Sequence, residues 1–309
     1  MRLPQLCALS AAAAALFAFA APQPAQAADA MLGAPTMQLR TIVSGGMDRY
    51  YRVHVPTSWD GVSTLPVVLA FHGGGGNARQ FANQSELYLT ADQEDFLLIF
   101  PEGTGRIGGA PWFALQTWNS GNCCGWAAEN NIDDVQFTRD MVAALASEWP
   151  VDLAHVYATG HSNGGMMSYR LGMEAPDLLA AIGPNAAALG MPGLPAAPIP
   201  VMAVHGRLDF NVPLQGGVGS GVSGTDYRSQ RDSLIPFAVV NQTDPPRLAE
   251  RRGAGRRFEA TAAGTGAPIH YWLLGDGGHS WPGHSSAIGD PVSQAIDINQ
   301  ELWAFFSNF

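Results

Sequence analysis

Gly160-His161-Ser162-Asn163-Gly164 is the segment of this chain whose residue types and spacing most directly suggest chemistry. A serine flanked by glycines two positions away on each side fits a tight strand-to-helix turn that thrusts the hydroxyl into the open. The preceding Val156-Tyr157-Ala158-Thr159 is rich in strand formers, and Asn163 to Met173 reads as a helix. On such a turn the backbone is strained, so the neighbours must be small. The helix behind the serine aims its free N–H groups at any oxyanion that forms there. His161, beside the serine, either shapes a substrate pocket or only supports the turn.

A serine hydroxyl reacts only when a base removes its proton and an acid orients that base. Three late histidines qualify by position: His270, His279 and His284. His279 lies in the Gly277–Gly283 loop that follows an apolar strand ending at Leu274, where a ring can reach over the serine. His270 falls inside that strand, and His284 is the weaker alternative. For the acid, Asp209 follows the Val201–His205 strand, between serine and histidine in chain order, and Asp276 is the less usual same-loop choice. The reading is Ser162 as nucleophile, Asp209 as acid and His279 as base. The oxyanion would be met by the amide of Asn163 and by one glycine of His72-Gly73-Gly74-Gly75-Gly76, with Gly74 favoured. Trp118 and Trp281 are offered as aromatic substrate contacts, ordinary loop packing being the alternative.

Composition excludes other chemistries. All 16 cationic residues are arginine, which removes Schiff-base lysines and the phosphate-loop lysine. A net charge of −10 argues against a nucleic-acid partner. No His/Asp/Glu cluster has metal-ligand spacing, so neither metal nor cofactor is expected.

The elements that must position these residues alternate. A hairpin is predicted from Met37–Val43 and Tyr50–Val55, then a buried strand at 66–71, a helix at 77–91 and a strand at 96–100. Residues 102–130 read as a long loop. Beyond it come a helix from 133 to 149, a strand at 154–159, the helix after Ser162, strands at 180–187 and 200–205, a helix at 229–241, a strand at 269–274 and a helix at 293–306. Asp133 and Asp134 suit the start of the 133–149 helix. This order implies an α/β domain with a mostly parallel sheet, helices on both faces and an antiparallel N-terminal edge. Residues 213–227 and 243–268 are expected to be excursions from that domain.

Residues 1–27 read as a secretory signal: Arg2, a 13-residue apolar run from Leu9 to Ala21, and the small-x-small site Ala25-Gln26-Ala27. That run is too short to span a bilayer, which takes about 20 residues. A flexible tail at 28–37 and a catalytic domain at 38–309 would follow. The expected product is an exported or periplasmic protein with no membrane contact after cleavage. Cys123 and Cys124 would then meet an oxidising compartment, either as a vicinal disulfide or as two buried thiols.

Taken together, several segments resemble a known family. They are Phe71–Asn77, Thr117-Trp118-Asn119 with Cys123-Cys124-Gly125, Asp133-Asp134-Val135, Gly160–Met167, His205-Gly206 with Asp209 and Val212-Pro213, and Gly278–Gly283. In this order they resemble the secreted polyhydroxybutyrate depolymerases and feruloyl esterases, over roughly residues 38 to 308. The resemblance implies an α/β-hydrolase fold, a Ser162-Asp209-His279 triad and hydrolysis of polyester oligomers or feruloyl esters through an acyl-enzyme. Acetylxylan or another carbohydrate ester is the alternative substrate, and a serine peptidase or a non-catalytic polymer binder on the same fold are the rivals. The chain departs from the family where Asn241-Gln242-Thr243 replaces a cysteine, which leaves Cys123 and Cys124 without a distant partner. Arg207-Leu208 also stands where smaller residues precede the acid. No polymer-binding module follows, which argues against efficient attack on crystalline polyester.

Overall fold

The computed structural model describes residues 37–106, 115–264 and 266–309. The signal sequence and nearly all of the N-terminal tail lie outside these residues. The chain opens with β1 (Gln38–Ser44) and β2 (Met47–His54), paired antiparallel with Ser44 opposite Met47. Gly45 and Gly46 make the two-residue turn, at φ of 59° and 76°, where side chains are disfavoured. Next come β3 (Leu65–Phe71), α1 (Ala78–Ser85), α2 (Leu87–Glu94) and β4 (Leu97–Pro101). Within the loop that follows lies a short helix, α3 (Gly125–Glu129). Then come α4 (Asp134–Glu148), β5 (Val151–His161), α5 (Asn163–Glu174), β6 (Ala181–Asn185) and β7 (Val201–Gly206). The chain closes with a small ribbon of β8 (Gly217–Val218) and β9 (Asp226–Tyr227), α6 (Gln230–Asn241), β10 (Arg247–Arg252), β11 (Gly255–Ala260), β12 (Ile269–Leu274) and α7 (Ile298–Phe306).

Ten strands form one sheet in the order β1-β2-β4-β3-β5-β6-β7-β12-β11-β10. The six central strands, β4 through β12 in that order, run parallel. Among them β3 and β4 are buried on both faces, as their uninterrupted apolar sequences Leu65–Phe71 and Leu97–Pro101 require. One face packs Phe137, Met141 and Leu145 of α4 with Met166 and Tyr169 of α5. The other packs Phe81 of α1 and Leu302, Phe305 and Phe306 of α7.

Three expectations need correction. The segment 243–268 is not merely an excursion, because β10 and β11 extend the main sheet antiparallel to β12. Both edges of the sheet are therefore antiparallel. Their sequences hid this: Arg247–Arg252 is exposed or half-exposed throughout and carries charge on both faces. The single helix expected at 77–91 is two helices, broken at Glu86, which sits in the left-handed region at φ 49°. The loop at 102–130 is likewise not structureless, since it contains α3 and pairs Thr104 with Thr117.

Candidate active site

Ser162 stands where β5 ends and α5 begins, at φ 57° and ψ −122°. Its amide donates to the Asn185 carbonyl at 3.0 Å, and its carbonyl accepts from Met166 at 2.9 Å. The glycines around it are there for contact as well as for turning. A Cβ at Gly160 would lie 2.5 Å from the Gly164 carbonyl carbon, and one at Gly164 would collide with the Phe71 carbonyl oxygen. At Gly165 it would lie 2.7 Å from the Asn185 carbonyl oxygen. Helix α5 can thus start directly against β3 and β6, holding the serine above the sheet.

The parallel strands β7 and β12 bring Asp209 and His279 together from loops at adjacent ends. Asp209 Oδ2 accepts from His279 Nδ1 at 2.8 Å, and its Oδ1 accepts from the Val212 amide at 2.8 Å. Both side chains are buried. A carboxylate bonded this way fixes the proton on Nδ1 and leaves Nε2 free to act as a base. His205 supports the acid loop by donating from Nε2 to the Val212 carbonyl at 2.9 Å. Its Nε2 is also 3.6 Å from Asp209. Burial pushes the His205 pKa down, and Nδ1 is buried without a hydrogen bond, so this contact is one between a neutral ring and a carboxylate. The rival acid, Asp276, is occupied by the Ser293 hydroxyl at 2.6 Å. His270 lies in β12 against Phe305, and His284 is held by Glu86 and Asp297.

His161 packs against His279, the two rings tilted by 47° with centroids 4.6 Å apart. Burial, followed by the neighbouring His279 and His205, holds its pKa well below the usual imidazole value. The neutral ring accepts at Nδ1 from Asn185 Nδ2 at 3.0 Å, and the same amide group donates to the Ser280 carbonyl at 2.9 Å. Asn185 thereby ties the serine turn to the histidine loop.

The side chain of Asn163 is consumed by structure. Its Oδ1 accepts from the Trp118 amide at 2.8 Å, and its Nδ2 donates to the Trp118 carbonyl at 3.0 Å and to Ser120 Oγ at 3.1 Å. Its backbone amide is the first of α5. In the glycine loop, Gly75 donates to the Gln116 carbonyl at 2.8 Å and Gly76 to the Gly73 carbonyl at 3.1 Å. Those two amides are spent, which leaves Gly73 and Gly74 beside Ser162 and Asn163. His72 anchors the loop: Nε2 accepts from the Gly103 amide at 3.0 Å while Nδ1 donates to the Gly73 carbonyl at 2.8 Å. Burial lowers its pKa to about 4, so it stays neutral. Behind it, Glu102 accepts from the Ala78 amide at 2.9 Å. Burial pushes this carboxyl up to about 7, against the pull of that amide and of Arg52.

Ser162, Asn163, His161, His279 and the glycine loop share one cleft of about 1140 Å³. Its other walls include Trp126, Met166, Asn211, Tyr227 and Ile288. Trp118 and Trp281 do not line it, which corrects their expected role. Both are fully buried, their indole N–H groups donating to the His72 carbonyl at 2.9 Å and to Asn299 Oδ1 at 2.8 Å. Aromatic wall residues are Trp126, placed by α3, a helix the sequence does not announce, and Tyr227 of β9. Cys123 and Cys124 are joined as a vicinal disulfide, and Cys124 borders the cleft. Among the described residues no cluster of three or more metal-ligating side chains occurs, and no helix is long and apolar enough to cross a membrane.

Comparison with known proteins places the chain in a family. The family model described as "Esterase PHB depolymerase" matches residues 50–209. A putative esterase, NocK, from Nocardia uniformis subsp. tsuyamanensis is 28% identical over 85% of this chain and 79% of its own length. Feruloyl esterase B of Piromyces equi is 32% identical over 61% of this chain, and the match spans 35% of that protein. Among solved structures, the acetyl xylan esterase from Aspergillus awamori superposes with a TM-score of 0.60 at 14% identity, covering 87% of this chain and 99% of that one. The chain belongs to the esterase PHB depolymerase family and is a carboxylic ester hydrolase of the α/β-hydrolase fold.

Proposed function

We propose that the chain is an exported serine esterase that hydrolyses hydroxybutyrate-type oligoesters or feruloyl esters through an acyl-enzyme on Ser162. His279 takes the Ser162 proton as the hydroxyl attacks the ester carbonyl. The amides of Asn163 and Gly74 receive the oxyanion, and His279 returns the proton to the departing alcohol. Water, deprotonated by the same imidazole, then releases the acid. The single observation carrying this reading is the 2.8 Å bond from buried Asp209 to His279 on the wall of the cleft that Ser162 enters.

Cleft size bears on the substrate. Small-ligand sites typically enclose about 300–1,000 Å³; a cleft of about 1140 Å³ admits bulky esters of any of these classes, and the indole and phenol on its walls favour an aromatic or apolar acyl group over acetyl. Feruloyl rings or short polyester chains use that space. Export rests on the 1–27 signal pattern. The test is a panel of methyl ferulate, a hydroxybutyrate trimer and acetylxylan, compared by kcat/KM with wild type and S162A. The expected result is turnover of ferulate or trimer at least tenfold above acetylxylan, abolished in S162A. A preference for acetylxylan, or activity surviving in S162A, overturns the reading.

A further inference from the structure

The peptide of His279 is held on both sides by one loop that no step above uses. Its N–H donates to Asp290 Oδ2 at 3.0 Å. Its carbonyl accepts from Ser286 Oγ at 3.1 Å. The Asp290 amide in turn donates to Ser286 Oγ at 3.0 Å, closing the ring of contacts. Flanking residues are fixed to the same loop, because the Gly278 amide and the Ser280 hydroxyl both donate to the Pro291 carbonyl, at 2.8 and 3.1 Å. The approach is close at Gly278, where a Cβ would lie 3.0 Å from the Asp290 Cβ and 3.0 Å from the Pro291 Cδ.

Asp209 fixes one ring nitrogen, but a hydrogen bond to one ring atom leaves the imidazole free to rock about that contact. The Cα position and the peptide plane decide where Nε2 points. Both are set by Asp290 and Ser286. Misplacing a catalytic group by about 1 Å is enough to lower a rate ~100-fold. Between Ser286 and Asp290, the same loop presents Ala287 and Ile288 to the cleft.

We infer that Asp290 and Ser286 are positioning residues for His279, fixing its backbone so that Nε2 meets the Ser162 hydroxyl. The inference rests on His279 being the base. Loss of the Asp290 carboxylate frees the His279 amide from a charge-assisted bond, which is among the stronger hydrogen bonds. The chemical step therefore slows while the substrate walls stay in place.

The experiment compares wild type, D290A, D290N, S286A, H279A and D290A/H279A on a soluble p-nitrophenyl ester. Rates are expressed per active serine, counted by fluorophosphonate titration run to completion in the variants that keep His279, and per folded protein in H279A and D290A/H279A. Thermal unfolding is followed in parallel. D290A is expected to lose about 10- to 100-fold in kcat with KM within about twofold. S286A should lose less, and D290N, which keeps an acceptor oxygen, should recover most of the loss. In the H279A background D290A should cost nothing further. A purely structural role would lower the melting temperature and the titrated fraction but leave kcat per active serine unchanged. That outcome, or a D290A loss that persists undiminished in H279A, overturns the inference. An H279A enzyme as fast as wild type overturns instead the assignment of the base.

Discussion

Replacing Ser162 by glycine should make the protein more stable than replacing it by alanine, although both variants should be inactive. At φ 57° and ψ −122° the residue occupies a region that side chains with a Cβ enter only under strain. Such strain costs on the order of 1–3 kcal/mol. S162A keeps the Cβ and the strain. S162G removes both, at a cost of roughly 0.5–1 kcal/mol from the greater freedom of glycine in the unfolded chain. The difference should favour S162G by about 1 kcal/mol, or about 2 °C in melting temperature for a domain of this size. Urea titration followed by circular dichroism measures it, with equal slopes for the two variants showing that both unfold the same surface. If S162G is equal to or less stable than S162A, the turn is not strained. The argument that the glycines on either side serve to hold a forced conformation would then fail.

Three further outcomes follow from the same contacts. W126A should raise KM for methyl ferulate several-fold and leave the melting temperature nearly unchanged, whereas W281A should cost about 3–5 kcal/mol of stability; steady-state kinetics and urea unfolding separate the two. Arg49 Nη2 meets Asp134 Oδ1 at 2.7 Å with both groups buried, so D134A strands a buried cation and should cost about 3–5 kcal/mol in urea unfolding. Burial opposes charge on His284, but Asp297 and Glu86 outweigh it and raise its pKa, while His284 lowers that of Asp297. The raised imidazole contributes most below the unfolded histidine value of 6.5 and loses its contribution as pH rises through the folded value; the depressed carboxylate loses its own as pH falls. Wild type should therefore exceed H284Q in stability mainly between those two limits, and melting curves across pH that show a constant difference would contradict the pairing.

What could be read from the sequence depended on how singular each signal was. Leu65–Phe71 and Leu97–Pro101 announce themselves because a parallel strand covered on both faces must be apolar throughout. The Gly160–Gly164 turn is legible because three crowded backbones leave glycine no substitute. Asp209 and His279 follow from chain order once the serine is placed. By contrast, β10 and β11 carry Arg251 opposite Arg256, a like-charge pair at an exposed edge, and no hydrophobic alternation marks them as strands. Trp118 and Trp281 misled because indole size signals apolar contact without saying with what. Each found a buried acceptor and packed inward, Trp281 edge-on to Phe81 at 5.1 Å. Asp290 and Ser286 were invisible because their partner is the backbone of His279, which no residue type reveals.

The most direct test of the central claim is to catch the acyl group. The enzyme is mixed with excess p-nitrophenyl acetate, quenched in acid within the first turnover and digested for mass spectrometry. One acetyl group on the peptide containing Ser162, together with a burst of nitrophenol equal to the enzyme present, is the predicted result. Steady turnover with no burst and no label, or a label on His279 in place of Ser162, would contradict it.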